Sequence, residues 1–183
     1  FLNDEVPGIY AQHRPENVRE KGSEAVRTNF AAHLYNKHFA KLARHPRMVE
    51  PVMDLFGEDL YMHQFKINGK MAFDGDVWQW HQDYGTWLND DQMPEPRAMN
   101  VAIFLGEVNE FNGPLMFIPG SHKLGVVDAK HDLTTTSYPL WTIDHDTIRK
   151  LVASGGMVAP KGPAGSMILF HSCLVHASSS NLS

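Results

Sequence analysis

Hydrophobic and polar positions along this 183-residue chain change rhythm near residue 60. Before that point Leu42, Met48, Val49, Val52, Met53 and Phe56 recur at the three- and four-residue spacing that puts side chains on one helix face. Two short helices are predicted, Tyr35 to Ala43 and Arg47 to Phe56, with Pro46 near the start of the second and Gly57 at its end. From Ala25 to His33 the alternation of Val26, Thr28 and Phe30 predicts a strand, although the alanines there would tolerate a helix. Beyond residue 60 the chain breaks into short runs, LYMHQFKI, VWQWH, MNVAIFL, LMFIP, MVAP, SMILF and CLVHA, separated by Gly, Pro, Asn and Asp. Many short strands between turn signals predict a sandwich or barrel. There is no internal repeat.

Composition narrows the class. With 43% hydrophobic and 20% charged residues, the chain has apolar material for one globular core and too little length for two, so residues 1–183 are expected to form a single domain. A formal charge of −5 without a basic cluster lacks the footprint of a nucleic-acid binder. The lone Cys173 excludes an internal disulfide framework and fits a reducing, cytoplasmic setting. No apolar run approaches the length of a membrane span, and no cationic and apolar signal segment is present, so a soluble protein is expected. The chain starts at Phe1 and stops soon after the HASSS run, and both ends are expected to be incomplete.

Against that background the run WQWHQDY carries the chemistry. His81 and Asp83 stand two apart, which on a strand puts both on one side, and His176 in CLVHASS would come from a different strand 93 residues after Asp83. Two imidazoles and a carboxylate suit ferrous iron and leave the opposite coordination positions open. With eleven histidines in the chain, chance pairs are common and rivals exist. His122 lies in the turn PGSH, 39 positions after Asp83, and His171 precedes His176 by five, an odd separation that puts the two on opposite faces of one extended strand. The loop Gly85 to Arg97 follows directly, and Trp87 in it reads either as core reaching out or as the wall of a ligand site.

Taken together, HPRMVEPVMDLFGEDLYMHQFKINGK, GDVWQWHQDYGTW, MPEPRAMNVAIFL, NGPLMFIPGSHKLG and GPAGSMILFHSCLVHASSSNLS resemble the phytanoyl-CoA dioxygenase superfamily, in particular its bacterial proline and ectoine hydroxylases. The resemblance runs from about Glu20 to the last residue and is interrupted between Asp128 and Gly155. It implies a double-stranded β-helix, a cupin-like jelly roll forming an all-β core over about residues 60–183, with a helical and strand flank over about 1–59. It implies that the metal is iron(II), held by His81, Asp83 and His176, with His171 and His122 outside the ligand set. It also implies that Lys70 and Asn100 contact 2-oxoglutarate and that Gln64 and Trp87 contact the substrate. The arginine that anchors the distal carboxylate of 2-oxoglutarate in such enzymes would fall beyond Ser183.

The implied activity is hydroxylation of an unactivated C–H with 2-oxoglutarate and dioxygen as cosubstrates, most readily of proline or a cyclic analogue. Related halogenases have a small residue where Asp83 stands, so the carboxylate implies hydroxylation. Hydroxylation of a carrier-bound or acyl-CoA substrate, and a noncatalytic jelly-roll module binding a small ligand or divalent metal, are the alternatives.

Overall fold

A computed structural model describes all residues, 1–183. The chain runs α1 (Leu2–Tyr10), β1 (Asn17–Arg19), β2 (Val26–Phe30), α2 (Ala32–Tyr35), α3 (Lys37–Leu42), α4 (Pro46–Phe56), β3 (Lys66–Asn68), β4 (Trp78–His81) and α5 (Asp83–Asp90). Then follow β5 (Met99–Ile103), β6 (Leu115–Phe117), a 3-10 turn (Ser121–Leu124), β7 (Lys130–Asp132), β8 (Leu140–Thr142), α6 (His145–Gly155), β9 (Met167–His171) and β10 (His176–Ser178). The architecture is therefore mixed helix and sheet, with helices inside the second half as well as before it.

The strand expected within Ala25–His33 is β2, but Ala31 takes a left-handed conformation (φ 56°) and the chain turns into α2. The helix expected over Tyr35–Ala43 is split. Asn36 is extended and its side chain accepts from the His38 and Phe39 amides, so it caps α3 rather than continuing α2. The second helix agrees closely with α4, which starts on Pro46 and ends at Gly57 with φ 68°. Of LYMHQFKI only the end forms a strand, and MVAP contributes a bridge from Val158 to Phe117 instead of a strand.

Four small antiparallel sheets result: β1-β2-β3, β4-β10-β6, β5-β9 and β7-β8. Because β2 pairs with β3, the first sheet joins the chain before residue 60 to the chain after it. Ile9, Ala32, Phe39 and Ile67 pack beneath that sheet, while Ile118, Ile143, Ile148 and Val175 form a second core under α6. Burying each of the Ile, Val and Phe side chains is worth roughly 1.5–3 kcal/mol.

One buried charge cluster ties these parts together. Arg27 and Glu20 pair at 3.2 Å with side chains 0% and 5% exposed. Glu20 also accepts from the Asp76 amide and the Ser137 hydroxyl, and Arg27 donates to the Val77 carbonyl and lies over Trp78. The β1–β2 hairpin is thereby fixed to the start of β4 and to the segment leading into β8. Glu20→Ala strands the guanidinium in the interior, and urea unfolding is expected to show a loss of about 3–5 kcal/mol, whereas truncating the exposed Glu58–Arg97 pair costs under about 1 kcal/mol.

Candidate metal centre and its cavity

The centre is assembled by strand register. β10 lies between β4 and β6, and in its pairing with β4 His176 stands directly across from His81. Their ring centroids are 4.2 Å apart, and both residues are buried. Asp83 faces the pair. One carboxylate oxygen is 3.7 Å from His81 Nε2 and the other 3.5 Å from His176 Nε2. The three donor atoms lie within 4.8 Å of one another.

Asp83 does not share the strand with His81, as the two-residue spacing predicts. β4 ends at His81, Gln82 is the extended residue before α5, and Asp83 is the first residue of that helix. The direction of the carboxylate therefore depends on Gln82. Its buried amide donates to the Gly125 and Cys173 carbonyls at 2.8 and 2.7 Å and accepts from the Val127 amide at 2.9 Å. An amide satisfied on both ends fixes the corner at which strand becomes helix.

Each imidazole is oriented the same way. Nδ1 of His81 lies 2.6 Å from the Gln79 carbonyl, and Nδ1 of His176 lies 2.8 Å from the Leu174 carbonyl. A carbonyl can only accept, so the proton sits on Nδ1 and the Nε2 lone pair turns toward Asp83. Burial and the neighbouring His176 push the His81 pKa down to about 3, so that ring is neutral at physiological pH. For Asp83 burial works to raise the pKa, but the fields of His176, His81 and Lys66 and the Asn100 amide hold it below the ordinary value. Its place at a helix N-terminus acts in the same direction. Two Nε2 atoms turned toward one carboxylate are the donor types a divalent cation takes, and the set fits ferrous iron.

The rival histidines sit elsewhere. His171 ends β9, which pairs with β5, so it belongs to a different sheet from His176 and the two do not share one strand. Its ring neighbours that of His122 at 5.8 Å, and its Nδ1 accepts from the Cys173 amide. Neither joins the cluster of three. Within PGSH it is Ser121 that matters to the centre, since its hydroxyl accepts from the Val175 amide immediately before His176.

Asp83 forms part of the wall of a small cleft of about 80 Å³, with Gln64, Lys66, Thr86, Trp87, Asp90, Asp91, Tyr138 and Leu140 around it. Both expected substrate residues, Gln64 and Trp87, are thus beside the centre. Trp87 combines its two readings: it is 6% exposed and packs with Tyr84, Met93 and Cys173, yet its ring lines the cleft. Asn100 on β5 lies near enough to Asp83 for its amide to lower that carboxyl's pKa, and its buried Nδ2 has no hydrogen-bond partner in the protein. Lys70 stands apart from the cleft. Its ammonium donates to the Asp76 carbonyl and, at 2.7 Å, to Ser179, which leaves one donor free. Gly113 makes room for it, with φ 77° and a Cβ position that would fall 2.8 Å from Ser179 O and 3.1 Å from the lysine chain. Burial and the charge of Arg27 bring the Lys70 pKa down to about 8.

Lys66, Thr86 and Tyr138 were not picked out from the sequence. Lys66 had a signal, since it alternates with Gln64 and so shares a face with it. Tyr138 had none, because it stands in no motif and reaches the cleft through the β7–β8 hairpin.

Comparison with known proteins places the chain in a family. The model of the family "Phytanoyl-CoA dioxygenase (PhyH)" matches residues 2–183. The chain is 36% identical to the L-proline trans-4-hydroxylase of Streptomyces griseoviridis, covering 100% of this chain and 72% of that protein. It is 34% identical to the ectoine dioxygenase of Bordetella bronchiseptica, covering 100% of this chain and 65% of the relative. The crystal structure of EctD from S. alaskensis with 2-oxoglutarate and 5-hydroxyectoine superposes with a TM-score of 0.87 at 32% identity, over 100% of this chain and 62% of that one. A further structure of that EctD contains bound Fe and superposes at 0.85. The chain thus spans roughly two thirds of the length of these relatives.

In calorimetric titration with cobalt(II) as a stand-in for ferrous iron, Asp83→Ala is expected to weaken binding by about 100-fold or more, and Gln82→Ala by about 10-fold through loss of orientation. His122→Ala is expected to leave the affinity unchanged.

Proposed function

The chain belongs to the phytanoyl-CoA dioxygenase family, and from that membership we propose that it is an iron(II)- and 2-oxoglutarate-dependent oxygenase that hydroxylates a small amino-acid-like molecule, with proline or a cyclic analogue favoured. The observation that carries this reading is the pairing of His81 with His176 across β4 and β10, with Asp83 turned toward both and a cleft opening on its carboxylate. Within the same reading, the sheets β4-β10-β6 and β5-β9 belong to a double-stranded β-helix.

His81, Asp83 and His176 would hold the iron. When bound there with 2-oxoglutarate and dioxygen, it supplies the oxidising power that turns a substrate C–H into C–OH while 2-oxoglutarate becomes succinate and carbon dioxide. The chain's residues do the rest. Pinned by the Gln79 and Leu174 carbonyls, the imidazoles keep a fixed tautomer and present Nε2 without rearrangement. Asn100, with a buried donor to spare, and Lys70, with one N–H free, are the groups offered to 2-oxoglutarate. Gln64 and the Trp87 ring form the substrate side, where a buried indole excludes water and fixes which carbon faces the centre.

Incubation with iron(II), 2-oxoglutarate and a panel including L-proline, L-pipecolic acid and ectoine, followed by mass spectrometry, is expected to show a product heavier by one oxygen and succinate in equal amount. Absence of any hydroxylated product from such solutes contradicts the reading.

A further inference from the structure

Most of the cleft wall comes from elements tied directly to the metal centre or to the first sheet. Gln64 and Lys66 arrive with β3 and the residues just before it, and Thr86 and Trp87 with α5, whose first residue is Asp83. Tyr138 and Leu140 arrive instead on the β7–β8 hairpin. That hairpin is a two-stranded sheet of its own, and such a pair is marginal in water unless other parts of the chain hold it. Its base is held. The Ile143 amide donates to the Trp80 carbonyl at 2.9 Å, Asp132 accepts from Gln79 Nε2 at 3.1 Å, and Trp141 Nε1 donates to Asp90 at 2.9 Å.

At the tip the polar contacts go to the turn between β1 and β2. The Ser137 hydroxyl donates to Glu20 Oε2 at 2.6 Å and accepts from the Lys21 amide at 2.7 Å, and the Lys21 ammonium donates to the Thr134 carbonyl. Glu20 is a fixed acceptor, because its carboxylate pairs with the buried Arg27 and also accepts from the Asp76 amide. A short hydroxyl-to-carboxylate bond on a fixed acceptor defines a position. The next residue is Tyr138, whose ring lies 5.9 Å from that of Phe30 and 5.6 Å from that of Trp78. One bond behind the tip thus sets where a ring of the cleft wall stands in front of it.

We propose that Tyr138 selects the size of substrate ring that the cleft accepts, and that Ser137, docked on Glu20, is the positioning residue that keeps it there. This rests on the functional reading above and deepens it. The cleft holds about 80 Å³, so the ring of one wall residue decides how much room is left for a substrate. A pocket distinguishes substrates that differ by one methylene by about 10–200-fold. L-Proline and L-pipecolic acid differ by one methylene. Neither Ser137 nor Glu20 lines the cleft, so both act on the substrate through Tyr138.

The test compares the wild type with Tyr138→Ala, Tyr138→Leu, Tyr138→Phe, Ser137→Ala and Ser137→Thr. Steady-state hydroxylation of L-proline and of L-pipecolic acid is followed with iron(II) and 2-oxoglutarate present, and affinities for cobalt(II) and for 2-oxoglutarate are read separately by calorimetry. The wild type is expected to discriminate between the two acids in kcat/KM by about 10-fold or more. Tyr138→Ala and Tyr138→Leu each move that ratio toward the larger ring by about 10-fold or more, while Tyr138→Phe, which keeps the ring, leaves it within about threefold. Ser137→Ala raises KM for the preferred acid by about 3–10-fold, the worth of one hydrogen bond, at unchanged kcat, and Ser137→Thr restores it. Cobalt(II) and 2-oxoglutarate affinities stay at the wild-type level in all five variants. An unchanged ratio in Tyr138→Ala and Tyr138→Leu, a wild-type KM in Ser137→Ala, or a loss of cobalt(II) affinity in Ser137→Ala overturns the inference and leaves the functional reading standing. A wild type that hydroxylates neither acid also overturns the inference, and one that hydroxylates no other solute of the panel above overturns the functional reading as well.

Discussion

Everything about the centre depends on the antiparallel register between β10 and β4. His176 lies opposite His81 because β10 is held on both sides, by β4 and by β6, and because Ser121 fixes the Val175 amide just before the ligand. A slip of one residue would turn His176 to the other face and put Ala177 in its place. Three short strands can hold such a register only if their ends are fixed elsewhere. Gln82 does this at one end, and the Glu20–Arg27 cluster does it at the start of β4.

Helix α5 adds a polarity to this frame. Its N-terminus carries Asp83 at the centre, and its C-terminal end carries Asp90 and Asp91, so one eight-residue helix spans the cleft with a ligand at the start and an acidic rim at the end. Trp87, between them, gives the helix a buried face against Cys173 and Met93 and gives the cleft a flat apolar wall. The same side chains thus serve packing and shape. A cleft whose walls are also core is held rigidly, which suits a reaction whose selectivity depends on the position of one carbon atom.

Much of the site was legible in the sequence because its ligands lie in short, strongly patterned segments. WHQDY and CLVHA place two histidines in apolar runs, and the resemblance of the flanking motifs singled out His176 over His122 and His171. Two things were hidden. Strand periodicity could not show that the chain turns into a helix at Asp83, since the HQD spacing is compatible with either and only the tertiary bonds of Gln82 decide it. The cleft was hidden further, because Tyr138 and Leu140 arrive on a hairpin with no motif, and a lysine in a strand reads as a solvated charge until Phe30, Trp78 and Tyr138 are seen around it. The helical content of the second half was missed for a related reason. The segment DYGTWLND is rich in turn-forming residues, and its helix is sustained by burial of Tyr84 and Trp87 more than by intrinsic propensity.

The most direct test of this account is anomalous diffraction at the iron edge from crystals of the protein grown anaerobically with ferrous iron. The account predicts one dominant peak at coordination distance, about 2.0–2.2 Å, from His81 Nε2, His176 Nε2 and an Asp83 oxygen, with both Nδ1 atoms still on their backbone carbonyls. A dominant peak at the His122–His171 pair, or iron bound by the triad through Nδ1, would contradict it.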